Sequence, residues 1–306
     1  MFRPSYVGPY QRGELEARAE RAAALAAPCC LCPQRCRADR TSAKPGICGS
    51  PLEARVSSAF AHFGEEAVLV GCRGSGTIFF CGCSLRCNFC QNWEISHAPD
   101  SGQSLDSGEL AALMLELQRS GCHNINLVTP THYVHAILAA LALATAKGLE
   151  IPLVYNCGGY ESLETLALLD GVVDIFMPDI KFYDDRTAAR FLKASDYGSR
   201  TREALKAMHS QVGVLQTGPD GTAFRGLLVR HLVLPGGLAG TGQWAAWIAR
   251  ELSPDTYVNI MDQYRPCFAA AGDSQIGRRP GEAEFRRAVD EALAAGLSGR
   301  GFERLI

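Results

Sequence analysis

Gly76-Thr77-Ile78-Phe79-Phe80-Cys81-Gly82-Cys83-Ser84-Leu85-Arg86-Cys87-Asn88-Phe89-Cys90-Gln91-Asn92 carries a strand-like run straight into a cysteine loop. Residues 77–80 are β-branched or aromatic, as suits a strand covered on both faces. The loop reads C-x3-C-x2-C over Cys83, Cys87 and Cys90. So short a loop can fold around one corner of a cubane and give one thiolate to each of three irons. Ferredoxin clusters take four cysteines. Three leave one iron open, as a catalytic site needs by analogy with zinc. No fourth ligand follows, since Cys122, Cys157 and Cys267 stand isolated. The alternatives are a zinc site completed by a distant residue, or three buried thiols, but zinc usually prefers paired knuckles. Cys81 shares a strand face with Cys83 and reads as a small buried residue rather than a ligand.

Downstream of this loop, strands alternate with helices. Strand-like runs are 77–80, 125–128, 152–155, 174–177, 227–234 and 257–261. Helical runs between them include 108–119, 134–147, 162–169, 202–211 and 243–252. Several strands are apolar throughout, which predicts parallel strands with helices outside. Six strand-helix units in about 200 residues fall short of the roughly 250 of a full (β/α)8 barrel. The expected fold class is therefore α/β, a partial (β/α)6 TIM-like barrel with a small N-terminal cysteine-rich module. A doubly wound sheet is the alternative. Either fold puts ligands at the C-terminal strand ends. Upstream, 12–26 reads as a helix, 28–50 as a turn-rich cysteine segment, and 54–72 as short strands around a His-Phe-Gly turn. Residues 281–296 read as a last helix. The expected divisions are 1–72 for the N-terminal helix and four-cysteine metal-binding module, 73–270 for the barrel and 271–306 for a helical tail.

The 306 residues are 47% hydrophobic and 20% charged, an ordinary globular balance. A net charge of -2 points to neither a nucleic-acid nor a membrane partner. The N-terminus shows no apolar signal region, and 136–146 is too short to span a bilayer, so a cytoplasmic location is expected. Cytosolic thiols stay reduced, and thirteen cysteines cannot all pair, so the close-set ones read as metal ligands. Besides the first group, Cys29, Cys32, Cys36 and Cys48 form C-x2-C-x3-C-x11-C, with Cys30 able to exchange with Cys29. Four ligands make a closed site for zinc or an auxiliary [4Fe-4S] cluster. Reduced thiols without metal are the plain alternative.

The three-cysteine loop, with an aromatic before its last cysteine, resembles the radical SAM superfamily, and more narrowly the pyruvate formate-lyase activating enzyme-like proteins. The matching stretches are CCLCPQRC, AFAHFGEE, GSGTIFFCGCSLRCNFCQNWEIS, NINLVTPTHY, MPDIKFY and NIMDQYRP. The resemblance implies an oxidoreductase whose open iron is chelated by S-adenosylmethionine (SAM). One electron, from a flavodoxin- or ferredoxin-type donor, cleaves SAM to a 5′-deoxyadenosyl radical that takes hydrogen from a substrate. The chemistry is anaerobic, and the implied substrate is a glycyl radical enzyme partner, another protein or a small molecule. No catalytic residue beyond the cluster is implied. Phe89 and Gln91 would lie near the adenine. Asp179 and Lys181 resemble an Asp-Leu-Lys that contacts SAM, and Asn156 and Arg230 could touch SAM or substrate. Many relatives hold the SAM amino group with Gly-Gly-Glu after the second strand. Here Val128-Thr129-Pro130-Thr131-His132 stands there, so Thr129 is the candidate replacement. His132 is a candidate proton carrier or a structural histidine. Residues 91–121 lack the cysteines that activases with auxiliary clusters carry there. The competing functions are a non-enzymatic iron–sulfur electron carrier and a zinc-stabilised binding module.

Overall fold

The computed structural model describes residues 2–41 and 46–302. Its strands are β1 (Ala54–His62), β2 (Ser75–Phe80), β3 (Gln103–Leu105), β4 (Ile125–Val128), β5 (Leu153–Cys157), β6 (Ile175–Ile180), β7 (Gln216–Thr217), β8 (Ala223–Leu232) and β9 (Tyr257–Met261). The sheet runs β3-β1-β2-β4-β5-β6-β8-β7, and β9 also pairs with β8. Strands β2, β4, β5, β6, β8 and β9 neighbour one another in chain order, every pair parallel. A doubly wound sheet reverses its order part-way, and this sheet does not. With right-handed crossovers, all connecting helices then fall on one face. The other face forms the bore of a six-unit partial barrel, as the sequence predicts. The barrel is open, because among the described residues β9 does not pair with β2. Outside β2, β1 and β3 add antiparallel.

Strand alternation separates two cores. Ile78, Leu127, Tyr155, Phe176, Val229 and Val258 pack with the helices. Val154, Ile175, Met177 and Leu228 form a second cluster with Leu69. The N-terminal helix Glu14–Ala26 covers the helix Val134–Ala146. This explains why the latter is apolar on nearly every face. No helix among the described residues is long and apolar enough to cross a membrane.

The expectation of strands on both sides of the His62-Phe63-Gly64 turn fails on one side. β1 precedes the turn, but Ala67–Val70 after it is a single helical turn. That turn sits against the bore cluster with Leu69 fully buried. The Leu69 and Val70 amides bond to the Glu66 carbonyl at 2.8 and 3.1 Å, and Asn124 Nδ2 donates to the Leu69 carbonyl at 2.9 Å. A strand here would leave backbone groups without partners, whereas one helical turn satisfies its own.

Candidate active site

Six parallel strands bring their C-terminal ends to one rim, where a cavity of about 360 Å³ lies. Cys87, Phe89, Cys90 and Gln91 line it. Positive φ at Gly82 and Arg86, 82° and 45°, turns the loop after β2. A Cβ on Gly82 would strike the Ser50 hydroxyl and stand 2.9 Å from the Cys48 carbonyl, so only glycine fits. Phe89 meets Phe182 and Tyr264 edge-on at 5.8 and 6.1 Å, inside a small core that also holds Leu85 and Cys87. The Leu85 amide points at Cys83 Sγ at 3.4 Å, and the Ser96 hydroxyl donates to Cys90 Sγ at 3.2 Å. Burial pushes the Cys83 and Cys87 thiols up, and the neighbouring thiols add to it while Lys181 opposes. A metal that takes up their charge reverses that preference. Among the described residues no three His, Cys, Asp or Glu side chains converge to hold a single ion. A cubane needs spread thiols on separate irons, so two soft donors on the cavity wall and a third beside them in the loop fit the cluster.

Polar groups from the bore reach the same cavity. Asp179, Arg230 and Asn259 share one register level across β6, β8 and β9. Arg230 Nε donates to Asp179 Oδ1 at 2.5 Å, Nη1 to Glu65 Oε2 at 2.8 Å and Nη2 to Asn156 Oδ1 at 3.2 Å. Asn259 Nδ2 donates to Glu66 Oε1 at 2.9 Å, and Lys181 Nζ stands 3.8 Å from Asp179 Oδ2. Burial raises the Glu65 carboxyl to about 7, with Arg230 opposing and Glu66 and Asp179 adding. Burial also acts against Asp179, but Arg230 and Lys181 prevail and hold it below the usual carboxylate range. Two cations and two carboxylates therefore line the cavity, a balance that suits a zwitterion.

The structure thus brings Phe89, Gln91, Asn156, Asp179, Lys181 and Arg230 around one cavity with Cys87 and Cys90. Cys83 is their neighbour in the loop. Thr129 is the exception. It follows the lining residue Val128, its φ of 60° breaks the strand alternation, and its amide is spent on the Asn156 carbonyl at 2.9 Å. Glu65 was not legible as a site residue. The available signal was a Glu-Glu pair placed directly before the apolar Ala67-Val68-Leu69-Val70.

The N-terminal cysteines pack behind this loop. Gln34 Nε2 donates to the Ser84 carbonyl at 2.9 Å. Arg40 is buried and bonds through its three nitrogens to the carbonyls of Ser50 (3.2 Å), His132 (2.6 Å) and Pro51 (2.6 Å). Burial pushes the Cys29 thiol up, while the Leu31 amide and the Arg40 guanidinium pull it down and the Cys36 and Cys48 thiols add to the rise. Cys32 is pushed up by burial, with Cys48 and Cys29 adding to it. The four cysteines therefore share one neighbourhood beside the buried Arg40, although no three of the described side chains converge on a single ion there.

His132 lies outside the cavity lining. Its Nε2 is 2.8 Å from the Cys81 carbonyl, and burial, with Arg40 nearby, pushes it down to about 3. It is a neutral structural histidine that ties the strand end to the cysteine loop. A depressed folded pKa means that its stabilisation is complete above 6.5 and lost as pH falls. His132→Gln keeps a donor for that carbonyl and cannot be protonated. Between pH 7 and pH 5 it should gain about 2 kcal/mol on the wild type, read from urea midpoints. Parallel losses in the two proteins would contradict this placement.

Comparison with known proteins agrees with the geometry. The family model of the radical SAM superfamily matches residues 77–216, from β2 through the cysteine loop to β7. An uncharacterized protein of Methanocaldococcus jannaschii is 32% identical over 273 residues, covering 86% of this chain and 74% of that protein.

Proposed function

Because the chain belongs to the radical SAM superfamily, we propose that it is an oxidoreductase with its cluster on Cys83, Cys87 and Cys90 and a segment of another protein as its substrate. With a [4Fe-4S] cluster and SAM bound, the chemistry supplied is one-electron cleavage of SAM followed by hydrogen abstraction from the substrate. The observation that carries this reading is the single cavity shared by the three-cysteine loop and the Asp179, Lys181 and Arg230 group. In this reading Lys181 pairs with a carboxylate of SAM, and Asp179 and Glu65 accept from an amino group or ribose hydroxyl. Phe89 offers an aromatic edge to a base. Val128, Ile180, Leu232 and Met261 give the space its apolar wall.

The volume supports a macromolecular substrate. Small-molecule pockets run from about 300 to 1,000 Å³, so one near the lower end is filled by SAM alone. Exposed aromatic rings lie at the cavity's edge, Phe60 stacked on the half-buried lining residue Phe79 and Trp93 stacked on Phe268, each at 5.6 Å between centroids. Abstraction from a glycine of a partner enzyme is the candidate reaction, with a flavodoxin- or ferredoxin-type donor supplying the electron. Cys29, Cys32, Cys36 and Cys48 would hold a second, fully coordinated metal, zinc or [4Fe-4S]. The buried Arg40 beside them supports an anionic tetrathiolate centre.

The test is anaerobic purification, metal analysis and incubation with dithionite and SAM. Formation of 5′-deoxyadenosine is the expected result. About eight irons would make the N-terminal centre a cluster, and four irons with one zinc would make it structural. Zinc alone, with no deoxyadenosine after reconstitution, would return the chain to the binding-module reading.

A further inference from the structure

On the outer side of the cysteine loop lies a second hollow, of about 450 Å³, lined by Ile47, Arg86, Ala189, Leu192, Lys193, Ala194 and Ser195. It shares no lining residue with the SAM-sized cavity. Two of its residues are cations and none is an acid. Arg190 is exposed next to the lining residue Ala189, with its guanidinium over the Phe191 ring and near Asp273. Two carboxylates on this side have hydrogen-bond partners of their own. Asp196 bonds Arg200 and Tyr160, and Asp273 accepts from the amides of Gln275 and Ile276, though it also feels Arg190.

The hollow borders both cysteine loops. Arg86 sits inside the loop, directly before Cys87, and its Nη1 donates to the carbonyl of Ile47, the residue before Cys48, at 3.4 Å. The Lys193 amide donates to the Leu85 carbonyl at 2.8 Å. The Asn88 amide donates to the Phe191 carbonyl at 3.0 Å, so residues 189–195 lie against the loop. A body seated in the hollow is separated from Cys83 and Cys87 by the turn 84–86.

We propose that this basic hollow is the docking site of an acidic one-electron donor protein of the flavodoxin type. The proposal rests on the radical SAM reading and adds the route by which the electron enters. One electron leaves the donor and one enters the cluster, and no atom changes hands. The mouth is reserved for SAM and substrate, so a donor that approaches from behind the loop need not wait for either to leave. A small apolar floor (Ile47, Ala189, Leu192, Ala194) flanked by the cations Arg86 and Lys193 suits a transient redox encounter, in which charge steers association more than it adds affinity. Such steering is screened by salt.

The test uses the reconstituted holoenzyme and an acidic flavodoxin. Flavin fluorescence gives the dissociation constant at about 50 and about 300 mM salt, which spans strong to weak screening. Stopped-flow absorbance gives the rate of cluster reduction. Lys193→Glu combined with Ala189→Glu should weaken binding at low salt by about tenfold or more and slow flavodoxin-driven reduction in step. Lys193→Arg should behave as wild type. Reduction by dithionite should be the same in all three proteins, which shows that the variants fold and hold their cluster. Flavodoxin binding that is unchanged by charge reversal, or insensitive to salt, would overturn the docking site. Failure of the wild type to cleave SAM with dithionite would instead overturn the functional reading, and the binding result would stand apart from it.

Discussion

Cys87→Ala is expected to lower deoxyadenosine formation by at least about 100-fold, beyond the usual effect of losing an outer-shell contact. Cys87 is buried, lines the cavity, and is the cysteine on which Lys181 acts most directly. Without it, two thiolates remain for three irons, and the cluster loses iron rather than gaining a vacancy. The informative comparison is Cys81→Ala, two residues before Cys83. Cys81 is fully buried, with its thiol 3.7 Å from the Ser101 hydroxyl and away from the cavity. That variant should keep its iron and most of its activity. Stability should fall by only about 1 kcal/mol, the cost of one small apolar contact. Iron content and deoxyadenosine, measured on both variants after the same reconstitution, check this. Equal losses would mean that burial rather than ligation sets the effect.

Arg230→Leu should be the most destabilising single change among the charged residues of the bore. The guanidinium is the common partner of Asp179 and Glu65, with Glu66 at 3.7 Å. Removing it leaves these carboxylates facing one another with only Lys181, on one side of Asp179, to offset them. Breaking a buried pair costs about 3–5 kcal/mol. For a chain of this size that is a melting-temperature loss on the order of 10 °C. The pH dependence identifies the cause. Glu65 already titrates at about 7, above its ordinary 4.5, and loses the cation that opposed this rise. A raised folded pKa stabilises in acid and is lost as pH rises, so the deficit should shrink on going from pH 8 to pH 5. Arg230→Lys restores the charge but not the three-way fork, and should recover only part of the loss. Thermal scans at both pH values read all of this. A variant as stable as the wild type at pH 8 would show that the network does not support the barrel.

Much of the fold is legible because the parallel strands, covered on both faces, are short runs rich in apolar residues. The runs 125–128 and 257–261 coincide with β4 and β9 to the residue. β8 is displaced. The sequence suggests 227–234, whereas the strand is Ala223–Leu232. Gly226 looks like a break, but the Leu215 backbone passes so close that a Cβ there would collide with it, so the strand continues through the glycine. At the other end, Val233 still gives its amide to the Met261 carbonyl at 3.0 Å, and both Val233 and Leu234 stay buried past the last paired residue, Leu232. The helix read at 202–211 begins at Tyr197, where the Tyr-Gly-Ser start obscures it. The run Ala67-Val68-Leu69-Val70 reads as a strand by composition. Short apolar runs do not reveal their period, and only the bore they enter decides.

The candidate site divides in the same way. The cysteine loop is contiguous in sequence, so its chemistry is visible from spacing alone. The Arg230 network is not, since Glu65 and Arg230 are 165 residues apart and meet because the helical turn Ala67–Val70 packs into the bore just after Glu65. Arg40 was equally hidden. A lone arginine in a polar segment shows no sign of burial until the carbonyls of Ser50, Pro51 and His132 surround it.

The central claim is that three cysteines leave one iron open to SAM in the cavity shared with Asp179, Lys181 and Arg230. Electron–nuclear double resonance on the dithionite-reduced, reconstituted protein tests it most directly, with SAM labelled by nitrogen-15 at its amino group and oxygen-17 at its carboxylate. The account predicts resolved couplings from both labels, present in the wild type and absent from Cys87→Ala. A reduced cluster whose spectrum is unchanged by saturating labelled SAM would contradict it.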